Sequence, residues 1–337
     1  MKILGIESSC DECSAAVVEN GETIISNVVA TQIEFHRPFD GVVPEIASRK
    51  HLEWITGVVQ EALAAAGTEK NDIQGIAVTG RPGLVGSLLV GLSFAKALAF
   101  AWELDFVAVD HIRAHLYAPH LENDIEYPYL GVIVSGGHTI ICRVETFDNI
   151  TVMGTTIDDA CGEAFDKVSK FFGWGYPGGP VVDKLAQKGD PRAFNFPTPS
   201  LHKGDHTYDV SYSGLKTAVI NQLDQFWNRD YEKSPENIAA AFQKRAVAIL
   251  AAKVKKAVKA TGLKKIVAGG GVAANSELRR TLKEIEDTEV VFPSMKLCTD
   301  NGAMIAGLGY QYLKKGLASG MEENAFSRVD GFKKKYP

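Results

Sequence analysis

Cysteine is scarce in this chain and odd in number: Cys10, Cys13, Cys142, Cys161 and Cys298 are the only five in 337 residues. A scattered, odd set is not the disulfide framework of a secreted domain. Cys10 and Cys13 form one C-x-x-C, but no second pair completes a zinc knot. Long uninterrupted apolar runs are missing as well. The longest apolar-rich stretch, Leu84 to Trp102, carries Lys96 and several small polar residues, so it reads as a buried helix and not a membrane span. The opening MKILGIESSC has a single Lys and too short an apolar run for a signal peptide, which makes a cytoplasmic location without membrane contact the expectation. Positive charge is not in excess overall. A net charge of −5 argues against wholesale nucleic-acid binding, because phosphate contacts need Lys and Arg. Its distribution is uneven, however. Residues 244–283 hold eleven Lys and Arg against one acid, Glu277, so that stretch is +10 and the remainder −15. It is either a solvated helix face plus a loop or a docking strip for a polyanion.

What is present is a globular composition, 45% hydrophobic, in a length that suits two domains or one two-lobed unit. Residues 2–9, 14–19 and 22–30 read as strands, the last two joined by Asn20-Gly21, a strong hairpin signal. Pro44 sits well as the first residue of a helix whose apolar face is Ile46, Leu52, Ile55, Val58, Val59, Ala62 and Leu63, closed by Gly67. Strand 75–79, helix 84–102 and strand 106–110 follow, and this alternation predicts an α/β sheet. The opening then recurs. Residues 129–135 resemble residues 3–9, Gly136-Gly137 marks a turn, and 138–145 and 150–156 run as further strands: an internal duplication of a strand–turn–strand–strand unit. Helices are expected at 159–172, 236–260, 276–285 and 301–315, with a strand at 265–268. Residues 174–215, rich in Gly, Pro, Ser, Asp and His, read as an insertion with long loops over a cleft. The expected lobes are 1–110 and 111–300, with the last helix, about 301–325, returning to the first.

Three constellations carry chemistry. Backbone N–H groups in tight glycine turns can point at phosphate oxygens. Ser135-Gly136-Gly137-His138 is one such turn, and Gly269-Gly270-Gly271, after a strand and before a helix, is another. His111 and His115 are spaced i, i+4, which puts both on one helical face where they can share a metal. Asp300 is a third candidate ligand, though it could equally cap the helix that starts near Gly302. Two imidazoles and a carboxylate leave coordination positions open, as in iron or zinc sites. Among the acids, Asp11, Glu12, Asp166 and Asp183 are each a cap, a ribose ligand or a proton carrier.

These residues carry a resemblance. The segments GIESSCDE (5–12), PEIASRKH (44–51), PGLVGSLLVG (82–91), DHIRAH (110–115), VSGGHT (134–139), DDACGEAFDKV (158–168), YPGGP (176–180), SYSGLKTA (211–218), GGGVAAN (269–275) and CTDNGAMIA (298–306) resemble, in order and over nearly the whole chain, the TsaD family of tRNA threonylcarbamoyladenosine transferases, once described as O-sialoglycoprotein endopeptidases. The resemblance implies an actin-like, sugar-kinase-like ATPase fold with a nucleotide cleft between duplicated lobes. It implies one divalent metal, Fe²⁺ or Zn²⁺, on His111, His115 and Asp300. Adenine-nucleotide or threonylcarbamoyl-AMP contacts are implied at Val134, Ser135, Gly136, Gly137, His138, Asp166, Gly179, Asp183 and Asn275. Implied partners are tRNA, TsaB-like and TsaE-like proteins, and a TsaC-type enzyme that supplies the substrate. Two positions depart from the family pattern: Arg81 stands where Gly-Pro-Gly is usual, and Cys13 replaces Thr.

The reaction so implied moves a threonylcarbamoyl group from its adenylate to N6 of the adenosine 3′ to the anticodon, with AMP leaving. The amine is a poor nucleophile, so positioning and electrophilic activation must come from the enzyme. His138, Asp11 and Glu12 are the candidates for moving the proton. A metallopeptidase would normally place Glu directly after the first His, as in H-E-x-x-H, and here Ile112 follows His111. A non-catalytic nucleotide-binding scaffold is the remaining alternative, since fold alone does not decide function.

Overall fold

A computed structural model describes residues 1–201 and 205–328, and the chain divides into two compact units. The first comprises Met1–Ile125 and returns from Pro293 onward. It begins with β1 (Lys2–Glu7), β2 (Glu12–Glu19) and β3 (Thr23–Thr31). The β2–β3 turn has Asn20 and Gly21 both at positive φ, +54° and +77°, the paired left-handed geometry of a type I′ hairpin. After the short α1 (Ile33–His36) come α2 (Pro44–Ala65), β4 (Ile73–Arg81), α3 (Val85–Trp102), β5 (Phe106–Asp110) and α4 (His111–Tyr117). The second unit holds β6 (Tyr129–Val134), β7 (Thr139–Thr146), β8 (Asn149–Thr155), α5 (Cys161–Phe171) and α6 (Gly178–Ala186). It continues through α7 (Ser213–Asn221), α8 (Leu223–Phe226), α9 (Pro235–Thr261), β9 (Lys265–Gly269), α10 (Ser276–Lys283) and β10 (Glu289–Val291). The chain returns to the first unit with α11 (Met295–Cys298) and α12 (Gly302–Lys314).

The duplication is visible in the sheets. The first runs β3-β2-β1-β4-β5 and the second, read from its other end, β8-β7-β6-β9-β10. In each, two antiparallel hairpin strands precede a parallel extension: β1 pairs β2 antiparallel and β4 parallel, and β6 pairs β7 antiparallel and β9 parallel. Each sheet has its own apolar core, centred on Leu4, Ile6, Val17, Ile76 and Val78 in the first unit and on Leu130, Val132, Phe165, Phe242 and Leu250 in the second.

Four expectations are corrected. The units divide at 125 and not near 110, because α4 packs against α12 and so stays with the first sheet. Residues 174–215 are less loop-like than expected: α6, a short 3-10 turn at Pro191–Ala193 and the start of α7 lie within them, while residues 202–204 fall outside the described residues. Helix α3 is half-buried. Leu88, Leu92, Ala95 and Ala99 face the core while Val85, Leu89 and Phe100 are exposed. Among the described residues it is the one helix long and apolar enough to cross a membrane, and here it packs on α2 and β4. Leu52, placed by periodicity on the inner face of α2, points outward; Ala47 and His51 take the buried stripe instead.

Glycine sets how closely α12 approaches the first sheet. A β-carbon on Gly5 would collide with the Gly302 carbonyl oxygen, and one on Gly302 would lie 2.7 Å from Ala15 C. At the far end of the unit, Ser319 N donates to Phe106 O (2.8 Å) and Ser319 Oγ accepts from Ala108 N (3.1 Å), along β5. Replacing Gly5 with Val should force backbone apart from backbone and cost about 1–3 kcal/mol or more. A thermal melt that moved by less than a degree would show that α12 can shift without loss.

Candidate metal and nucleotide sites

The metal candidates meet at the point where β5 runs into α4. Asp110 ends the strand and caps the helix, its Oδ1 accepting from Ile112 N (2.9 Å) and Arg113 N (3.0 Å). That cap fixes the first turn, and the i, i+4 spacing then brings the rings of His111 and His115 to 4.6 Å between centroids. Asp300 arrives from the linker between α11 and α12. The cap of α12 is its neighbour Asn301, whose Oδ1 accepts from Met304 N (3.0 Å) and whose Nδ2 donates to Thr299 O (2.8 Å). Asp300 is thereby released from capping. Its Oδ1 lies 3.1 Å from His115 Nε2 and 3.5 Å from His111 Nε2. The three candidate donor atoms lie within 4.8 Å of one another, the one such group among the described residues.

The electrostatics fit a cation. Burial disfavours charge on His111, but the Asp300 and Glu7 carboxylates outweigh it and hold the imidazolium up to about 9. Glu12 is pushed well above the usual carboxylate range by burial, by Asp11 and by Asp300. A divalent ion on two imidazoles and one carboxylate would relieve this crowding of acids and replace the proton on His111. His115 Nδ1 is buried and has no hydrogen-bond partner among the described residues. Burial disfavours a thiolate at either cysteine of the C-x-x-C. Burial pushes Cys13 up to about 12, and burial together with Asp11 and Asp300 pushes Cys10 well up; both thiols are free.

The nucleotide candidates all fall in the second unit. In the β6–β7 turn, Ser135 N donates to His138 O (2.8 Å) and His138 N to Ser135 Oγ (3.1 Å), which leaves Gly136 and Gly137 at the exposed tip after buried Val134. The start of α5 abuts this turn, with Gly162 N donating to Ser135 O (3.2 Å). Asp166, one turn along α5, accepts from Gly178 N (2.7 Å) at the start of α6. Farther along α6, Asp183 accepts from Gln243 Nε2 (2.9 Å) and Ser276 Oγ (2.6 Å). Asn275 caps α10 by accepting from Leu278 N (3.0 Å) and donates to Gln243 Oε1 (2.9 Å). One hydrogen-bonded network therefore ties the second turn of α6 to the start of α10. Around it, a β-carbon on Gly136, Gly137, Gly179 or Gly271 would meet no protein atom within 4 Å. Packing does not require these four glycines, and bare backbone at such a place is what a phosphate needs. His138, one candidate for moving a proton, belongs to this unit, whereas Asp11 and Glu12 belong to the first.

The TsaD family profile, described as tRNA N6-adenosine threonylcarbamoyltransferase, matches residues 23–307. The chain belongs to the TsaD family. A Treponema denticola protein of that name is 67% identical over 99% of both chains, and one from Treponema pallidum is 55% identical over 99% of this chain and 95% of its own. Among solved structures, HypF from T. kodakarensis aligns with a TM-score of 0.63 at 13% identity, covering 93% of this chain and 48% of that one. A ROK hexokinase from Thermus thermophilus aligns at 0.51 and 17%, covering 94% and 100%. These likenesses give the chain an actin-like fold.

Sequence reasoning passed over two residues of this TsaD chain that the structure puts at the sites. Glu7 reads as the end of an apolar strand, yet its buried carboxylate lies 3.0 Å from His111 Nδ1. Gln243, buried on the apolar side of α9, joins Asp183 to Asn275. In both cases the only signal is a polar side chain in an otherwise apolar pattern. The departure at Arg81 is taken up within the first unit: its guanidinium lies 3.7 Å from Glu323 Oε1 and 5.9 Å from the centre of the Phe326 ring.

Two expectations can be measured. His111→Ala or Asp300→Ala should remove most bound iron or zinc while the fold stays intact, since these residues sit at element ends; elemental analysis that found unchanged occupancy in the double variant would remove the ligand assignment. Gly137→Val should leave the melting temperature of the ligand-free protein within a few degrees yet abolish most adenine-nucleotide binding, read by titration calorimetry; intact nucleotide binding would make the turn merely a turn.

Proposed function

We propose that this chain transfers the threonylcarbamoyl group from threonylcarbamoyl-AMP to N6 of the adenosine 3′-adjacent to the anticodon, in tRNAs reading ANN codons, and releases AMP. It is a transferase that modifies tRNA; full-length relatives 49–67% identical carry that name. The observation that carries the reading is the convergence of His111, His115 and Asp300 in a chain whose second unit presents unneeded, open glycines at a phosphate-sized turn. A kinase of this fold has no use for two converging imidazoles. A peptidase has no use for the glycine turns, and Ile112, not a glutamate, directly follows His111.

In this reading the N–H groups of Gly136 and Gly137, with the starts of α6 and α10, hold the adenylate phosphate. Asp166 keeps the first turn of α6 in place by accepting from Gly178. Asp183 and Asn275 either take the ribose or hold the loop that does. His111, His115 and Asp300 would hold one divalent ion, Fe²⁺ in preference to Zn²⁺, and that ion supplies Lewis-acid polarisation of the carbamoyl carbonyl. The N6 amine attacks the carbamoyl carbon, the bond from that carbon to the phosphate oxygen breaks, and the amine proton passes to a base. Asp11, Glu12 and His138 are the candidates for that base. TsaB-like and TsaE-like proteins are the proposed partners, with a TsaC-type enzyme supplying the adenylate, all in the cytoplasm.

The basic stretch bears on tRNA. Part of its charge is used internally: Arg245 donates to Thr198 and Asn195, Lys253 to the carbonyls of His206 and Thr207, and Arg280 pairs with Glu277 and Glu284. Lys255, Lys256 and Lys259 are exposed on the last turns of α9. We assign these three to tRNA phosphates. Reversing them to Glu should weaken tRNA binding at low salt and flatten the plot of log K against log salt by about 2–3 units of slope. Equal low-salt binding would return α9 to a solvated face.

The reaction itself is tested by digesting tRNA after incubation with the chain, its TsaB- and TsaE-like partners and threonylcarbamoyl-AMP, and measuring threonylcarbamoyladenosine by mass spectrometry. The nucleoside should form, and His111→Ala should abolish it. Absence of product on a tRNA that another organism's enzyme does modify would sink the transferase reading.

A further inference from the structure

Glu7 is the last residue of β1, and its side chain is fully buried. A carboxylate there is unfavourable unless its oxygens are all engaged. They are. Oε1 accepts from Ser9 N (2.5 Å), and Oε2 accepts from Thr79 Oγ1 (2.6 Å) and faces His111 Nδ1 at 3.0 Å. An ionised carboxylate can only accept, so Nδ1 must carry the hydrogen in that contact. The neutral ring's lone pair is then forced onto Nε2, the atom that faces Asp300 Oδ1. Ser9 Oγ, 3.2 Å from the same Nδ1, could by itself serve either tautomer. It is Glu7 that removes the choice. His115 has no counterpart: its Nδ1 lacks any partner among the described residues, and the nearby Asp110 is occupied with the α4 cap.

We propose that Glu7 is a positioning residue for the metal site, acting through His111: it fixes the ring's tautomer and rotation and makes Nε2 a stronger donor. The proposal rests on the reading of His111, His115 and Asp300 as metal ligands. A carboxylate behind a ligating imidazole is worth about 10- to 100-fold in metal affinity. The same hydrogen bonds explain why an acid sits in β1 at all, since Thr79 on β4 and Ser9 after β1 complete its shell from elements that flank His111.

Glu7→Gln separates this role from mere packing, because the amide keeps the size and loses acceptor capacity. With its oxygen toward His111, its NH₂ meets the Ser9 N–H, donor against donor. In the reverse orientation, the NH₂ faces Nδ1 and draws the ring to the tautomer with hydrogen on Nε2. The test is zinc affinity of the full chain, by competition with a chromophoric chelator, together with the ¹⁵N imidazole spectrum of the zinc-loaded protein. Wild type should show a protonated Nδ1 and metal-bound Nε2 on His111. Glu7→Gln should bind zinc about 10- to 100-fold more weakly and lose the Nδ1–H signal. If Glu7→Gln does not fold, Glu7→Asp carries the same comparison, since it keeps the charge and withdraws it from the ring. An affinity within twofold of wild type with an unchanged His111 spectrum overturns the positioning role and leaves Glu7 structural. A wild-type chain that takes up neither zinc nor iron would instead remove the metal reading itself, and the positioning role with it.

Discussion

The meeting of His111, His115 and Asp300 in the first unit depends on helix α12 lying directly on β1. His111 and His115 come from the strand-to-helix passage at 110–117, while Asp300 enters almost two hundred residues later, after the whole second unit. Nothing local brings them together. The contact that does is backbone against backbone: Gly5 beneath the carbonyl of Gly302, and Gly302 against Ala15. Asn301 then caps the helix and Ser14 Oγ accepts from Gly302 N (2.8 Å), so that the residue just before them, Asp300, projects toward the imidazoles. Sterics at two glycines and one cap therefore set where the Asp300 carboxylate stands relative to the two imidazoles.

The second unit uses the same strand order for a different task. Where the first unit places Glu7, Asp11 and Glu12 along the passage from β1 to β2, the second follows β6 with Ser135 and two bare glycines. One duplicate concentrates carboxylates and imidazoles, which suits a cation. The other exposes backbone N–H groups and two helix starts, which suits an anion.

What could be read from the sequence follows from how local each signal is. The paired histidines, the Asn20-Gly21 hairpin, Pro44 at a helix start and the glycine turn at 136–137 depend on spacings of a few residues, and they appear where expected. Asp300 was ambiguous because cap and ligand make the same demand on a short acidic side chain; the neighbouring Asn301 settles the cap, and only tertiary packing reveals it. Glu7 and Gln243 were invisible because a buried polar residue looks like an irregularity in a pattern until its partners, from distant strands and helices, are known. Leu52 shows the converse: helical periodicity gave it an inner position, but the sheet beneath α2 fits Ala47 and His51 instead. The three-residue strand β10 is too short to carry a periodic signal, and the division at 125 depends on α4 packing against α12.

The contact of Ser319 with β5 has a bearing on solubility. β5 is the last strand of its sheet, and an open outer edge offers unpaired N–H and carbonyl groups to any strand in solution. Ser319 engages the Phe106 carbonyl with its backbone and the Ala108 N–H with its hydroxyl, imitating a paired strand with one residue. Lys96 holds the following stretch by donating to the carbonyls of Met321 and Glu323, and Phe326 N reaches Gly80 O (3.0 Å). The segment after α12 thus works as a selvedge: it finishes the sheet along β5, so that a strand from another copy of the protein finds no open border on that side.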